Sequence, residues 1–439
     1  MTRTFTRRYF LQSTALAASA FALSPRGILR AQAPSDRLNV AFVGVGGRGA
    51  GNLAAISECK ANIVALCDVD QNHLAAAAAK FPGAKTYADF RKLLEQKDID
   101  AVVVSTPDHF HAVTAIAAMR LGKHVYCEKP LTHSIYETRR LTESARKHKV
   151  ATQMGNGGHS SEGTRLTVEW IQTGAIGPVR EVHTWTNRAK GWWPQGVPRP
   201  SDTPPVPPTL NWDLWLGPAP LRPYHPAYHP FKWRGWADFG TGALGDMGCH
   251  VFDVSYWALN LTHPTTIEAE TSGYNGETFP EWSIIRYTFA QRGNMPPVKL
   301  TWYDGGKLPP RPADLEPGRE MGSPDGGTLF IGDKGTILTP LGGAPRLIPE
   351  SKMKDFKRPD PFLPRSIGHH REWVEACKGG KPAGANFEYA GLLTEIVLLG
   401  NLAIRARKKI EWDGPHMKAT NAPEADPLIH REYRNGWSL

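Results

Sequence analysis

The sequence predicts an α/β protein that opens on a doubly wound parallel sheet. Three observations carry this. An apolar run, Leu38 to Val43, ends in Gly44-Val45-Gly46-Gly47-Arg48-Gly49, which has the spacing G-x-G-x-x-G. A second apolar run, Asn62 to Cys67, ends in Asp68, 22 positions after Gly46. From there to Met154, apolar runs alternate with helix-patterned segments, as βαβ units do.

The glycine spacing has a physical reason. Gly44 allows the tight turn out of the strand, Gly46 lets a pyrophosphate approach the backbone, and Gly49 lets the next helix pack close. The N–H groups and positive dipole end of that helix, read around Asn52–Ile56, face the phosphates. Asp68 is placed to accept hydrogen bonds from both ribose hydroxyls and to repel a 2′-phosphate, which favours NAD over NADP. Its alternative is a helix cap or a turn residue.

Residues 1–33 read as a targeting segment. Arg7-Arg8 precedes aromatic and apolar residues, Ser13–Leu23 is mildly apolar, and Ala31-Gln32-Ala33 has the small-x-small pattern of a cleavage site. The apolar stretch is too short to span a bilayer. The segment resembles a twin-arginine signal cut after Ala33, and implies export of a folded protein to the periplasm. There no pool of free NAD exists, so a dinucleotide enzyme there must hold its cofactor tightly and restore it each turnover. The formal charge of +10 (52 Lys and Arg, 42 Asp and Glu) falls to +5 once the five leader arginines are removed. No compact basic run is present, so neither nucleic acid nor, after cleavage, a membrane is expected as a partner. The five cysteines are scattered and show neither a disulfide framework nor zinc spacing; no metal site is expected.

Within 34–155, helices are expected at Gln71–Lys80, Tyr87–Glu95, through the segment ending at Leu121, and at Ser134–Lys149. Strands are expected at Ile99–Ser105, His124–Cys127 and Val150–Met154. Thr106, Pro107, His109, Glu128 and Lys129 then fall at the carboxyl ends of strands, where ligands of such sheets sit. His109 and His111 read equally as helix-start residues or as ligand contacts. Gly155–His159 reads as a flexible boundary.

Residues 156–439 form the second domain. Expected helices are Glu162–Thr173, Arg365–Lys378 and Phe387–Arg407; expected strands are Val179–Arg188, Thr265–Thr271, Ser283–Ala290, Val298–Tyr303 and Gly327–Leu338. Residues 194–230 hold twelve prolines, yet Trp212, Trp215, Tyr224 and Tyr228 punctuate them, so the stretch reads as an ordered arm or lid. Nine of fourteen tryptophans lie between Trp170 and Trp257; aromatic faces stack on the C–H faces of sugars, and the alternative is core packing. Asp246 and His250 are four apart and share one face of a helix. His369, His370 and Glu372 are further candidates for substrate contact.

Gly44–Gly49, Asp68, Thr106-Pro107-Asp108-His109, Glu128-Lys129-Pro130 and Gly245-Asp246-Met247-Gly248-Cys249-His250 resemble, in order, the motifs of the glucose–fructose oxidoreductase / inositol dehydrogenase (Gfo/Idh/MocA) family. The resemblance implies a Rossmann domain and a C-terminal α/β domain with a large, mostly antiparallel sheet that often makes the contact of a dimer or tetramer. It implies a cis peptide before Pro130. It places the cofactor on Gly44, Gly46, Gly47, Arg48, Gly49, Asp68, Thr106, Pro107, His109, Glu128 and Lys129. It makes Lys129, Asp246 and His250 catalytic, with Lys129 lowering a hydroxyl pKa, His250 taking the proton, and Asp246 binding a neighbouring hydroxyl or orienting the base. The alternatives are a solvated lysine, a helix-start carboxylate and an interior histidine. Tyr228, His229, Lys232, Trp233 and Arg234 are expected at the substrate, a small carbohydrate or glycoside. Trp215–Pro220 resembles glycosidases of the family that act by transient oxidation, whereas Asp246 is as in its dehydrogenases. The expected function is thus a redox-neutral, NAD-dependent cleavage or epimerisation of a sugar. The alternatives are a sugar or cyclitol oxidoreductase that uses a second carbohydrate, and a non-catalytic binding protein.

Overall fold

The computed structural model describes residues 37–439; the expected export signal lies outside them. The first sheet contains β1 (Asn39–Val43), β2 (Asn62–Cys67), β3 (Lys85–Tyr87), β4 (Ala101–Val104), β5 (His124–Cys127) and β6 (Thr152–Met154). All are parallel, in the order β3-β2-β1-β4-β5-β6. The order reverses between β1 and β4, which opens a crevice at their carboxyl ends. The crossovers are α1 (Arg48–Glu58), α2 (Gln71–Lys80), α3 (Asp108–Arg120) and α4 (Ile135–His148). Alternation along β1 sends Val40 and Phe42 to α1 and α2, and Ala41 and Val43 to the face of α3 and α4.

After α5 (Glu162–Gln172) comes a second sheet of nine strands: β7 (Val179–Trp185), β8 (Thr266–Thr271), β9 (Ser283–Phe289), β10 (Val298–Tyr303), β11 (Gly327–Gly332), β12 (Gly335–Pro340), β13 (Arg346–Ile348), β14 (Ile410–Asp413) and β15 (Lys418–Ala419). Only the β7–β10 pair is parallel, so the sheet is mostly antiparallel, as expected. One face packs against α6 (Gly242–Ala258) and α8 (Phe387–Ala406), with Phe252, Tyr287, Trp302 and Val397 in a shared core. Among the described residues α8 is the one helix long and apolar enough to cross a membrane, and it is a buried core helix. On the other face, Leu315 and Met321 of the 304–325 loop cover Trp185, Tyr303 and Leu329. Helix α7 (His369–Cys377) returns to the first sheet, where Trp373 and Val374 are buried with Phe42 and Ile56.

Four local expectations are corrected. Tyr87–Glu95 is not one helix: Tyr87 pairs with Cys67 in β3, and the Asp89 side chain caps a single turn, Phe90–Leu93, by accepting from Arg91 N. Residues 327–338 are a hairpin, because the two-residue Asp333-Lys334 turn reverses the chain between β11 and β12. The strand from Val179 stops at Trp185, and the chain then bends so that Thr186 Oγ1 accepts from Arg188 N. Gly155–His159 is a built turn with Asn156 and His159 buried. The cysteines are all free; four are buried and Cys59 is half-buried.

The glycine loop yields a stability contrast. A Cβ on Gly49 would sit 2.0 Å from the Gly44 carbonyl oxygen, whereas one on Gly51, in the same helix, meets nothing within 4 Å. Gly49→Ala is expected to cost about 2–4 kcal/mol, and Gly51→Ala to gain up to about 1 kcal/mol. Thermal melts of the two variants against the parent check both signs.

Candidate active site

A cleft of about 840 Å³ runs from the glycine loop, across the ends of β1, β2, β4 and β5, to α6 and the aromatic arm. At one end Asp68 is held by two main-chain donors, Val45 N at 2.9 Å and Asp70 N at 3.0 Å. It is not the helix cap; Asp70 is, accepting from Asn72 N. His73 stands beside Asp68, whose carboxylate raises the imidazole pKa against its partial burial. His229 reaches over from the arm to Asp70, 3.7 Å away. The ligating atoms of Asp70, His73 and His229 all lie within 4.8 Å of one another.

At the loop, Gly44 has φ +82°, and a Cβ there would meet the Ser105 carbonyl oxygen at 2.7 Å. Gly46 and Gly47 line the cleft with Arg48, whereas Gly49 lies beneath, against Gly44. Arg48 Nε and Asn52 Nδ2 both donate to Glu128 Oε1, at 3.1 and 2.8 Å. Burial pushes the Glu128 pKa up, but Arg48, Asn52 and Lys129 outweigh it and hold the carboxyl below its usual range. Thr106 Oγ1 is buried in the cleft wall with no hydrogen-bond partner among the described residues. A side-chain-free cradle, an exposed helix N-terminus, a carboxylate at the far rim and an orphaned hydroxyl fit a dinucleotide.

At the other end, β5 delivers Lys129 and α6 delivers Asp246 and His250. Lys129 Nζ donates to Asp246 Oδ1 and to the Asp246 carbonyl, both at 2.8 Å. Arg234 Nε donates to the same Oδ1 at 3.3 Å. Burial opposes ionisation of Asp246, yet Lys129 and Arg234 prevail and bring its pKa to about 2. Asp246 lies inside α6, whose N-cap is Thr241, so it is no helix-start carboxylate. Burial, helped by the Lys129 charge, lowers the His250 pKa to about 3. Its ring is oriented by Asn156. Asn156 Nδ2 donates to Cys249 O at 3.0 Å, so Oδ1 faces His250 Nδ1 at 2.7 Å. Nδ1 therefore carries the hydrogen and Nε2 is the basic nitrogen. The peptide before Pro130 is cis, as expected.

The cleft brings together, of the expected residues, Gly44, Gly46, Gly47, Arg48, Asp68, Thr106, Pro107, Glu128, Lys129, His229, Trp233, Arg234, Asp246 and His250. Three placements are corrected. His109 points away, its nitrogens on Phe239 O and Trp215 O, and anchors the arm to α3. Tyr228 is 2% exposed, packed on Trp236 and Phe239 with Arg222 over its ring. Lys232 is exposed and outside the cleft. His111 lies between Thr106 O and Pro130 O, each 2.8 Å from a ring nitrogen, and its single N–H donates to one of them as a strand-end tie. His369, His370 and Glu372 also lie outside it, bonded to Gln153, Asn52 and Ser366 respectively. The sequence reading missed Asn156, Arg188, Trp192, Phe231 and the Asp108 side chain. Asp108 is buried at the cleft wall, where its Oδ2 accepts from Thr241 Oγ1 at 2.6 Å. The Pro-rich arm is ordered, as expected. It is bonded to the rim at Asp68 through Gln71 N to Thr209 O and Asn211 N to Val69 O, both 2.9 Å.

Residues 38–156 match the model of the GFO/IDH/MocA oxidoreductase family, NAD-binding Rossmann fold, and residues 184–295 match that family's C-terminal alpha/beta domain. Levoglucosan dehydrogenase of Pseudarthrobacter phenanthrenivorans is 26% identical over 42% of this chain and 39% of its own length. A glycosyl hydrolase family 109 protein of Shewanella pealeana is 26% identical over 39% of this chain and 44% of its own. The chain thus spans less than half the length of either relative. The solved oxidoreductase domain protein from Kribbella flavida superposes with a TM-score of 0.60, at 20% identity, over 85% of this chain and 99% of that one.

Burial raises the Asp108 pKa from the ordinary carboxyl value of 3.8 to about 7. A carboxyl with a raised folded pKa contributes stability that is full below 3.8 and is lost as pH rises through about 7. Asp108→Asn keeps the acceptor for Thr241 without the charge. Its Tm is expected to match the parent near pH 4 and to exceed it by a few degrees at pH 8, as a melt series across pH reads directly.

Proposed function

The chain belongs to the GFO/IDH/MocA oxidoreductase family, with an NAD-binding Rossmann domain; from that premise we propose that it oxidises a carbohydrate hydroxyl transiently and completes a redox-neutral cleavage or epimerisation. The observation that carries the reading is the Lys129–Asp246–His250 arrangement beside the dinucleotide cradle, with His250 locked by Asn156 in the tautomer that leaves Nε2 basic. The chemistry that bound NAD would supply is a reversible hydride acceptor for a ring carbon, C3 in this reading.

The residues of the chain divide the remaining work. His250 Nε2 accepts the hydroxyl proton as hydride departs from the same carbon. The Lys129 ammonium stabilises the developing alkoxide. Asp246 fixes Lys129 and Arg234 and offers its second oxygen to a neighbouring sugar hydroxyl. The resulting ketone acidifies the adjacent C–H, which permits elimination of a glycosidic substituent or inversion there. Gly44, Gly46, Gly47 and the N-terminus of α1 would hold the pyrophosphate, Asp68 the ribose, and Arg48 and Glu128 the turn at the nicotinamide.

Retention of the cofactor is supported by the arm, which is bonded to the backbone on both sides of Asp70 and lies over the rim that holds Asp68. It fits an exported enzyme that recycles its own cofactor, and export to the periplasm is part of the proposal. So is a dimer or tetramer formed through the second sheet. The family 109 relative agrees with the glycosidase outcome. A second reading, a dehydrogenase that needs another carbohydrate to reset its cofactor, is favoured by the intact Asp246 and by the levoglucosan dehydrogenase relative.

Purified protein is expected to carry dinucleotide that leaves only on denaturation, and to turn over glycosides many times without added cofactor. A single stoichiometric burst of reduced nicotinamide supports the second reading, and absence of any bound or binding dinucleotide overturns both. Lys129→Ala and His250→Ala are each expected to lower kcat by about 10²–10⁴-fold. Asn156→Ala is expected to lower kcat by about 10–10²-fold with KM little changed, measured in the same turnover assay.

A further inference from the structure

Around Arg234 the cleft is also lined by Arg188, Trp192 and Phe231, which form its mouth and take no part in the mechanism above. Trp192 is 46% exposed and Phe231 40% exposed, and both line the cleft with their ring centroids 5.9 Å apart. Large aromatic rings left this open in a concave site are stacking surfaces for a ligand ring. Each carries a guanidinium. Arg188 Cζ lies 5.0 Å from the Trp192 ring, and Arg234 Cζ lies 4.3 Å from the rings of both Phe231 and Trp233. Arg188 is drawn outward by Asp325, and Arg234 spends Nε on Asp246 and Nη1 on Phe231 O. The Nη2 groups of both arginines make no hydrogen bond among the described residues. With Lys129, three cations line this end of the cleft, and the two ionised carboxylates of Asp246 and Asp325 answer only part of that charge. A neutral sugar leaves that imbalance unanswered, whereas a carboxylate or phosphate meets it with charge-assisted bonds.

We propose that this mouth is a subsite for an acidic sugar, whose ring stacks on Trp192 and Phe231 while its anionic group is held by Arg188 and Arg234. The proposal rests on the carbohydrate reading of the cleft and deepens it by naming the substrate class. Two guanidiniums flanking an aromatic pair select charge and ring together. The aromatic pair alone binds any hexose face, and the arginines alone bind any anion.

The test is calorimetric binding to the dinucleotide-loaded protein, so it does not depend on turnover. The probes are methyl glucuronide, methyl glucoside and glucose 6-phosphate, with both methyl anomers. An acidic sugar is expected to bind at least about tenfold more tightly than the glucoside at low salt, with the margin shrinking as salt rises. The better of the two anionic probes identifies carboxylate or phosphate. Arg188→Gln is expected to remove that margin by weakening the anionic probe, while Trp192→Ala weakens all three. Arg180→Gln, which loses only a surface pair with Asp333, is the folded control that keeps the margin. Equal affinities, a margin that survives Arg188→Gln, or no binding by any probe overturns the proposal. Equal affinities with catalytic turnover of the glucoside leave the oxidative reading standing without it. A clear acidic preference with no hydride transfer supports the subsite and removes the oxidative reading.

Discussion

Lys129 reaches the cleft from the end of a strand in the parallel sheet, and Asp246 from a helix that packs on the antiparallel one. Their side chains are only 14% and 13% exposed, so the pair is largely withdrawn from water. Such a pair adds little net stability, yet losing either partner strands the other charge at a cost of about 3–5 kcal/mol. Its importance is geometric. It fixes the distance between the two halves of the site and keeps Asp246 ionised. It also holds a cation beside His250, which helps keep that imidazole neutral. Asn156, on the turn that joins β6 to the second half of the chain, fixes the ring's rotation from the opposite side. A carboxylate, an imidazole and an ammonium group are thereby held in one arrangement by three different segments.

Much of this was legible in the sequence because the relevant spacings are local. The glycine run, the strand end at Glu128-Lys129-Pro130 and the four-residue step from Asp246 to His250 each encode one turn of backbone, and the acid 22 residues on marks the end of the next strand. What stayed hidden depends on rotation and on distant packing. Asn156 sits among glycines that read as a hinge, and nothing local reveals that its amide meets a helix ninety-odd residues away. His109 falls at a strand end, where the cleft was expected, but the first turn of α3 rotates it toward the arm. Tyr228 and Trp233 look equivalent in sequence; one is sealed in an aromatic cluster while the other reaches the cleft wall. Arg188 and Trp192 follow a strand that ends earlier than its apolar pattern suggests, and only the bend after Trp185 brings them to the mouth.

The Pro-rich arm shows how a segment with little regular structure becomes rigid. Its rings share a small core with the residues that follow it: Trp215 and Tyr228 pack with Trp236 and Phe239, and Arg222 is paired with Asp238 and Glu277. His109 ties this core to the Rossmann half through its main-chain N–H on Phe239 O and its one ring N–H between the Phe239 and Trp215 carbonyls, and Arg434 ties it to the C-terminus through Gly217 O. Order here comes from aromatic packing and main-chain bonds, and the many prolines lower the entropy that the unfolded arm would regain.

The clasp at Asp70 is made by peptide groups: Thr209 and Val69 supply carbonyls, Gln71 and Asn211 supply amides. Peptide groups are common to every residue type. The clasp can therefore persist while side chains along the arm drift, and the loops that shape the mouth can be rewritten without loosening the tie between the arm and the rim at Asp68. Attachment and lining are assigned to separable parts of the chain, so descendants of this sequence have room to change the walls of the cleft while keeping its frame.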